Sequence, residues 1–112
     1  MNKVNFSKIE NYQNGWFLGA FHPTMFFTKD FEVAIFYIKK GTKSDKHYHK
    51  ICDEYNVIVD GECTIVSEGI KHDLTKGDIF HFEKGVKTDV EYTQDTSLVV
   101  IKVPSHPGDK HW

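Results

Sequence analysis

A chain of 112 residues, 39% hydrophobic and 14% aromatic, has material for one packed core and not for two. Net charge is −2, and all fourteen basic residues are lysines scattered along the chain. With no arginine to fork onto phosphate or base edges, nucleic acid is not expected as a partner. No apolar run approaches the ~18 residues of a membrane span, and Met1-Asn2-Lys3-Val4-Asn5-Phe6 lacks the apolar stretch of a secretory leader. No membrane partner and a cytoplasmic location are therefore expected, with Cys52 and Cys63 as reduced thiols.

In chain order, Trp16–Phe21 reads as a first strand and Phe31–Ile38 as a second, apolar on nearly both faces and so central or part of an interface. The His-rich segment around 46–50 is a third. Glu54–Val59 runs into Asp60-Gly61, a type I′ hairpin signal, and returns as Cys63–Val66. Glu68-Gly69 turns the chain into Ile70–Leu74, whose polar composition marks an edge strand. Lys76-Gly77-Asp78 turns into Ile79–Phe82, and Ser97–Val103 forms the last long strand. Short strands with a turn every 8–12 residues, and no helical period, predict an all-β antiparallel sandwich or barrel.

Chemistry concentrates at His47-Tyr48-His49. On a strand, residues two apart share a face, so both imidazoles point one way. Glu54 opens the next apolar strand, and a neighbouring strand can bring its carboxylate alongside both rings. Two imidazoles and one carboxylate are enough to hold a catalytic divalent metal. If Glu54 faces inward, Asn56 and Ile58 follow by alternation and become pocket residues. Tyr37, Asn56 and His81 are the weak candidates for acid–base or water-orienting roles. His81, between Phe80 and Phe82, also reads simply as a half-exposed strand histidine.

Gly41, five residues, His47-x-His49, four residues, Glu54, six residues and Gly61 together resemble the first motif of the cupin superfamily, with every position filled. That resemblance implies a single-domain jelly-roll barrel over residues 1–112, its core at about 31–103, flanked by N-terminal strands and a short C-terminal tail. It also implies that His47, His49 and Glu54 are metal ligands facing the barrel interior. The second motif is degenerate: Gly77 and Gly85 fit, Glu83 holds the proline position, Tyr92 replaces the following asparagine, and Thr88 stands where the fourth ligand, histidine, belongs.

Three readings follow. A three-ligand site of His47, His49 and Glu54 remains, with water or substrate at the Thr88 position; or His81 substitutes as the fourth ligand; or the metal is lost and a binding barrel remains. The first gives a small enzyme using Fe, Mn, Ni or Zn on a small polar metabolite. A sugar derivative or a keto or carboxylic acid would be handled by isomerase, lyase or dioxygenase chemistry, with Asn56, Ile58 and Thr88 lining the substrate pocket. The last gives a non-catalytic ligand-binding or sensor cupin. A homodimer is expected in either case, because Phe31–Ile38 and the aromatic segment Trp16–Phe27 carry more apolar surface than one thin sandwich needs.

Overall fold

The structure, a computed structural model, describes residues 3, 5 and 14–112; the N-terminal stretch read for a leader lies mostly outside these. Among the described residues there are nine strands and no helix, hence no helix able to cross a membrane. They are β1 (Trp16–Leu18), β2 (Glu32–Ile38), β3 (Lys43–His47), β4 (Asp53–Asp60), β5 (Glu62–Ser67), β6 (Ile70–Thr75), β7 (Ile79–Phe82), β8 (Thr88–Tyr92) and β9 (Thr96–Val103). Two antiparallel sheets, ordered β1-β2-β9-β4-β7 and β3-β8-β5-β6, form a jelly roll.

Alternation decides what lies between the sheets. In β4, Asn56 and Ile58 are buried while Tyr55 and Val59 are exposed, and in β9 Thr96, Leu98 and Val100 are buried. One core cluster joins Ile58, Cys63, Ile65 and Val90; a second joins Ala34, Leu98 and Val100 with Trp16 and Phe36 against it. The polar strand β6 lies at a sheet edge, as its composition predicts.

Three local expectations are corrected. Asp60-Gly61 is not a hairpin: β4 pairs with β7 and β9, β5 pairs with β6 and β8, and the chain changes sheets at this point. Gly61 is required there by contact, because a Cβ would lie 2.5 Å from the Asp95 carbonyl oxygen, and its φ is +104°. The type I′ geometry belongs to Glu68-Gly69, whose φ angles of 51° and 76° join β5 to β6. Second, β1 stops at Leu18, since Gly19 turns the chain where any Cβ would strike the Phe21 ring. Third, β8 was not anticipated, although Asp89-Val90-Glu91-Tyr92 alternates as a strand should.

Candidate metal centre

β3 ends at His47, and Tyr48 leaves it to pair with the C-terminal tail, exchanging backbone hydrogen bonds of 2.8 and 3.0 Å with His111. His49 follows outside any strand, buried, its carbonyl accepting a 2.7 Å bond from the Gly85 N–H. That bond ties the two glycine-bearing motifs together. The two rings stand edge to face with centroids 5.5 Å apart. Glu54 does not arrive on a neighbouring strand as expected; β3 and β4 belong to opposite sheets, and the carboxylate approaches His49 from across the barrel. Its Oε1 lies 3.8 Å from His49 Nε2.

These three side chains line a cavity of about 80 Å³ together with Asn56, Thr88 and Tyr92. Phe80, Phe82, Val86 and Thr88 also border a larger neighbouring space of about 320 Å³, so the small chamber and the large one share a wall. Ile65 and Leu74 continue the larger one, with Ser67 and His72 as polar points.

The donors suit a divalent ion. His47 Nδ1 sits 2.6 Å from the Asp45 carbonyl oxygen, which can only accept, so Nδ1 is the donor there and Nε2 is the ring nitrogen that could coordinate an ion. Burial lowers the pKa of His49, with Glu54 opposing and Lys102 and His47 adding to the effect, so its ring is held neutral. Glu54 is already engaged: its Oε2 accepts a 2.9 Å bond from Asn56 Nδ2, and Lys102 Nζ lies 4.0 Å from Oε1. Among the described residues, no three His, Cys, Asp or Glu side chains converge into a finished ligand set. The donor types fit a metal, while the Glu54 carboxylate is at present engaged by Asn56 and Lys102.

Thr88 is buried, opposite His47 on the β3–β8 ladder and on the cavity wall. Asn56 is also buried and holds Glu54. The remaining candidates lie elsewhere. Ile58 packs in the core cluster and lines neither cavity. Tyr37 is 58% exposed, on the outer face of β2. His81 borders the larger space, but its ring stacks on Tyr55 at 4.4 Å and its Nε2 lies 3.0 Å from Asp53, away from the small chamber. It pairs with Tyr55 on the ladder, so it projects opposite to Phe80 and Phe82.

Sequence reasoning missed Lys102. It faces inward on β9, directly between Glu32 of β2 and Glu54 of β4, with its ammonium 5.0 Å from the centre of the Trp16 ring. The available signal was parity: Leu98 and Val100 precede it on the same face. Asp109 was missed too. Its side chain accepts hydrogen bonds from the N–H groups of Lys50, Ile51 and Cys52 and so docks the tail beside His49.

The sequence model of one family, the cupin domain, matches residues 34–104. No curated protein matches the chain. Among solved structures, the fold resembles KdgF from Halomonas sp. (21% identity, 70% of this chain and 74% of that one, TM-score 0.66). It also resembles an RmlC-like cupin from Shewanella frigidimarina (21%, 72% and 72%, 0.66). A sugar phosphate isomerase of the cupin superfamily from Silicibacter pomeroyi is similar as well (23%, 68% and 52%, 0.60). At these identities the likeness is one of fold.

Proposed function

This chain belongs to the cupin family, and from that premise we propose that it holds a divalent metal ion through His47, His49 and Glu54 and acts on a small polar metabolite. The observation that carries the reading is that those three side chains line one small chamber, which shares a wall with a ligand-sized space. Bound there, a metal would supply Lewis acidity toward a carbonyl or enediol oxygen.

The protein's own contributions are positional. Asn56 fixes Glu54 through the 2.9 Å bond, and Asp45 fixes the His47 ring. Thr88 offers a hydroxyl where the family motif has a fourth ligand, leaving room for water or substrate. Burial, with Cys63 and Glu54 nearby, keeps the Tyr92 phenol protonated, a donor facing the same chamber. Phe80 and Phe82 form the apolar wall against which a substrate would rest. Neither cavity is lined by a lysine, so a neutral sugar derivative is favoured over a carboxylic acid. Isomerase, lyase and dioxygenase chemistry all remain within this reading, as do Fe, Mn, Ni and Zn. The free, buried cysteines suit a reducing, cytoplasmic setting.

A second reading, a ligand-binding or sensor barrel without catalytic metal, draws on the Glu54–Lys102 pair, which balances the carboxylate's charge with no ion present. Elemental analysis of untagged protein, repeated for His49→Ala, separates the two. Stoichiometric metal that disappears in the variant supports the first; protein that takes up no Fe, Mn, Ni or Zn and gains no stability from them supports the second.

A further inference from the structure

Of the three proposed ligands, His49 is the one that no ladder fixes. His47 ends β3, paired with Thr88, and Glu54 lies in β4 between β7 and β9. His49 belongs instead to the irregular stretch 48–52, whose backbone donors turn to the C-terminal tail. The Tyr48 N–H is donated to the His111 carbonyl at 2.8 Å, and the His111 N–H returns to the Tyr48 carbonyl at 3.0 Å. The Lys50, Ile51 and Cys52 N–H groups donate to the Asp109 carboxylate at 3.1, 2.9 and 2.9 Å. Asp109 is 2% exposed, and its Oδ1 also lies 3.0 Å from His111 Nε2. From the other side, the Gly85 N–H holds the His49 carbonyl at 2.7 Å. The tail has moorings of its own: the Ser105 N–H reaches the Lys29 carbonyl at 3.0 Å, and the His106 N–H reaches Glu32 Oε1 at 2.8 Å.

We propose that the tail, through Asp109 and the His111 backbone, positions His49 for the ion, an inference that rests on the metal reading of His47, His49 and Glu54. Asp109 is then a positioning residue, and tail docking and metal binding reinforce each other. A buried carboxylate taking three successive N–H groups is a charge-assisted clamp. It fixes the backbone just after His49, as the Tyr48–His111 pair fixes it just before. Undocked, those donors turn to water and the His49 backbone keeps the Gly85 bond. A metal site accepts only about 0.2 Å of error in ligand distance, so that freedom falls on metal affinity. The converse follows by linkage: an ion held by His49 opposes undocking by the same factor. A tail that only completes the fold would leave the two equilibria independent.

Zinc is the probe, on the full chain. Calorimetric titration should show Asp109→Asn, and His111→Pro, which removes the N–H given to Tyr48, binding zinc about tenfold more weakly than wild type. Gly69→Ala, in the turn joining β5 and β6, should bind as wild type does, which separates positioning from a general loss of stability. Amide hydrogen exchange of wild type gives the reciprocal measurement. Zinc should slow the Ile51, Cys52 and His111 amides by a similar factor and leave the Asp78 amide, bonded to the Thr75 carbonyl before β7, unchanged. In His49→Ala both the binding and the slowing should be lost. If Asp109→Asn fails to fold, His111→Pro and the wild-type exchange still decide. Equal zinc affinity in wild type and the folded tail variants, tail amides indifferent to zinc, or all amides slowed alike would overturn the inference and leave the metal reading standing. Zinc bound undiminished by His49→Ala, or not taken up by wild type, would end both.

Discussion

Glu54 and Lys102 stand directly opposite one another on the β4–β9 ladder, carboxylate and ammonium 4.0 Å apart inside the barrel and both largely shielded from water. The lysine therefore competes for the carboxylate that a metal would need. Replacing it as Lys102→Met leaves Glu54 held by Asn56 alone, which should lower the stability of metal-free protein by about 2 kcal/mol. The same change should raise affinity for added Zn or Mn about tenfold, since a competing cation is gone. Urea unfolding and calorimetric titration read the two effects, and the Lys102→Met, Glu54→Gln double variant should regain stability while losing the metal response. Unchanged metal affinity in Lys102→Met would separate Glu54 from the metal.

Asp109 anchors the tail. Burial alone would raise its pKa, but the N–H groups of Cys52, Ile51 and Lys50 outweigh that and hold it well below the usual carboxylate range. A depressed folded pKa contributes stability that is present above the unfolded value near 4 and is lost as pH falls through the folded one. Asp109→Asn should thus destabilise by about 2 kcal/mol at neutral pH. It should also flatten the loss of stability below about pH 4. Chemical denaturation at a series of pH values measures both, and an acid limb as steep as the wild type's would assign that limb to other carboxylates.

The cysteines should be inert in the native state. Burial pushes the Cys52 thiol up to about 12, with Asp109 adding to the effect, and Cys63 up to about 11. A raised folded pKa gives stability that is present below the unfolded value and is lost as pH rises from there through the folded one. Neither thiol should react with a disulfide reagent at pH 8 unless denaturant is added. Rapid labelling of either in the folded protein would show that the shielding at Pro104, or around Cys63, opens readily.

How much of this was legible depends on where each signal lives. His47, His49 and Glu54 were readable because residue type and spacing are local properties, and strand parity then carried Asn56 inward. Lys102 was not, because a lysine in a strand ordinarily faces water, and only the sheet order sets it between two glutamates. Asp60-Gly61 misled for the reverse reason. The dipeptide permits a hairpin, but pairing of Asp60 with Ser97 sends β4 and β5 to different sheets. His81 was placed by the ladder: pairing with Tyr55 turns it outward.

That difference is measurable in two glycines. Gly61→Ala would drive a Cβ to within 2.5 Å of the Asp95 carbonyl at a φ of +104°, and should destabilise by about 3 kcal/mol or more. Gly69→Ala, in the open hairpin turn with nothing within 4 Å, should be limited to about 1 kcal/mol of backbone strain. Thermal unfolding of both compares them, and similar losses would mean that the sheet crossing at Gly61 can relax.

Thr88 offers the most direct challenge to the metal reading. It is buried, faces His47 across the ladder and lines the 80 Å³ chamber, so a larger side chain has space in which to turn. Thr88→His would supply the fourth nitrogen or oxygen donor that the family motif prescribes. If His47, His49 and Glu54 bind metal, a fourth ligand should tighten Zn or Ni binding by about 100-fold. The same variant without metal should be about 1–2 kcal/mol less stable, because a buried imidazole replaces a well-fitted threonine. Metal should then restore more stability to Thr88→His than to wild type, by the mass action of tighter binding. A folded Thr88→His protein that takes up metal no better than wild type would place the ion, if any, away from these residues. The chamber would then be left to the ligand alone.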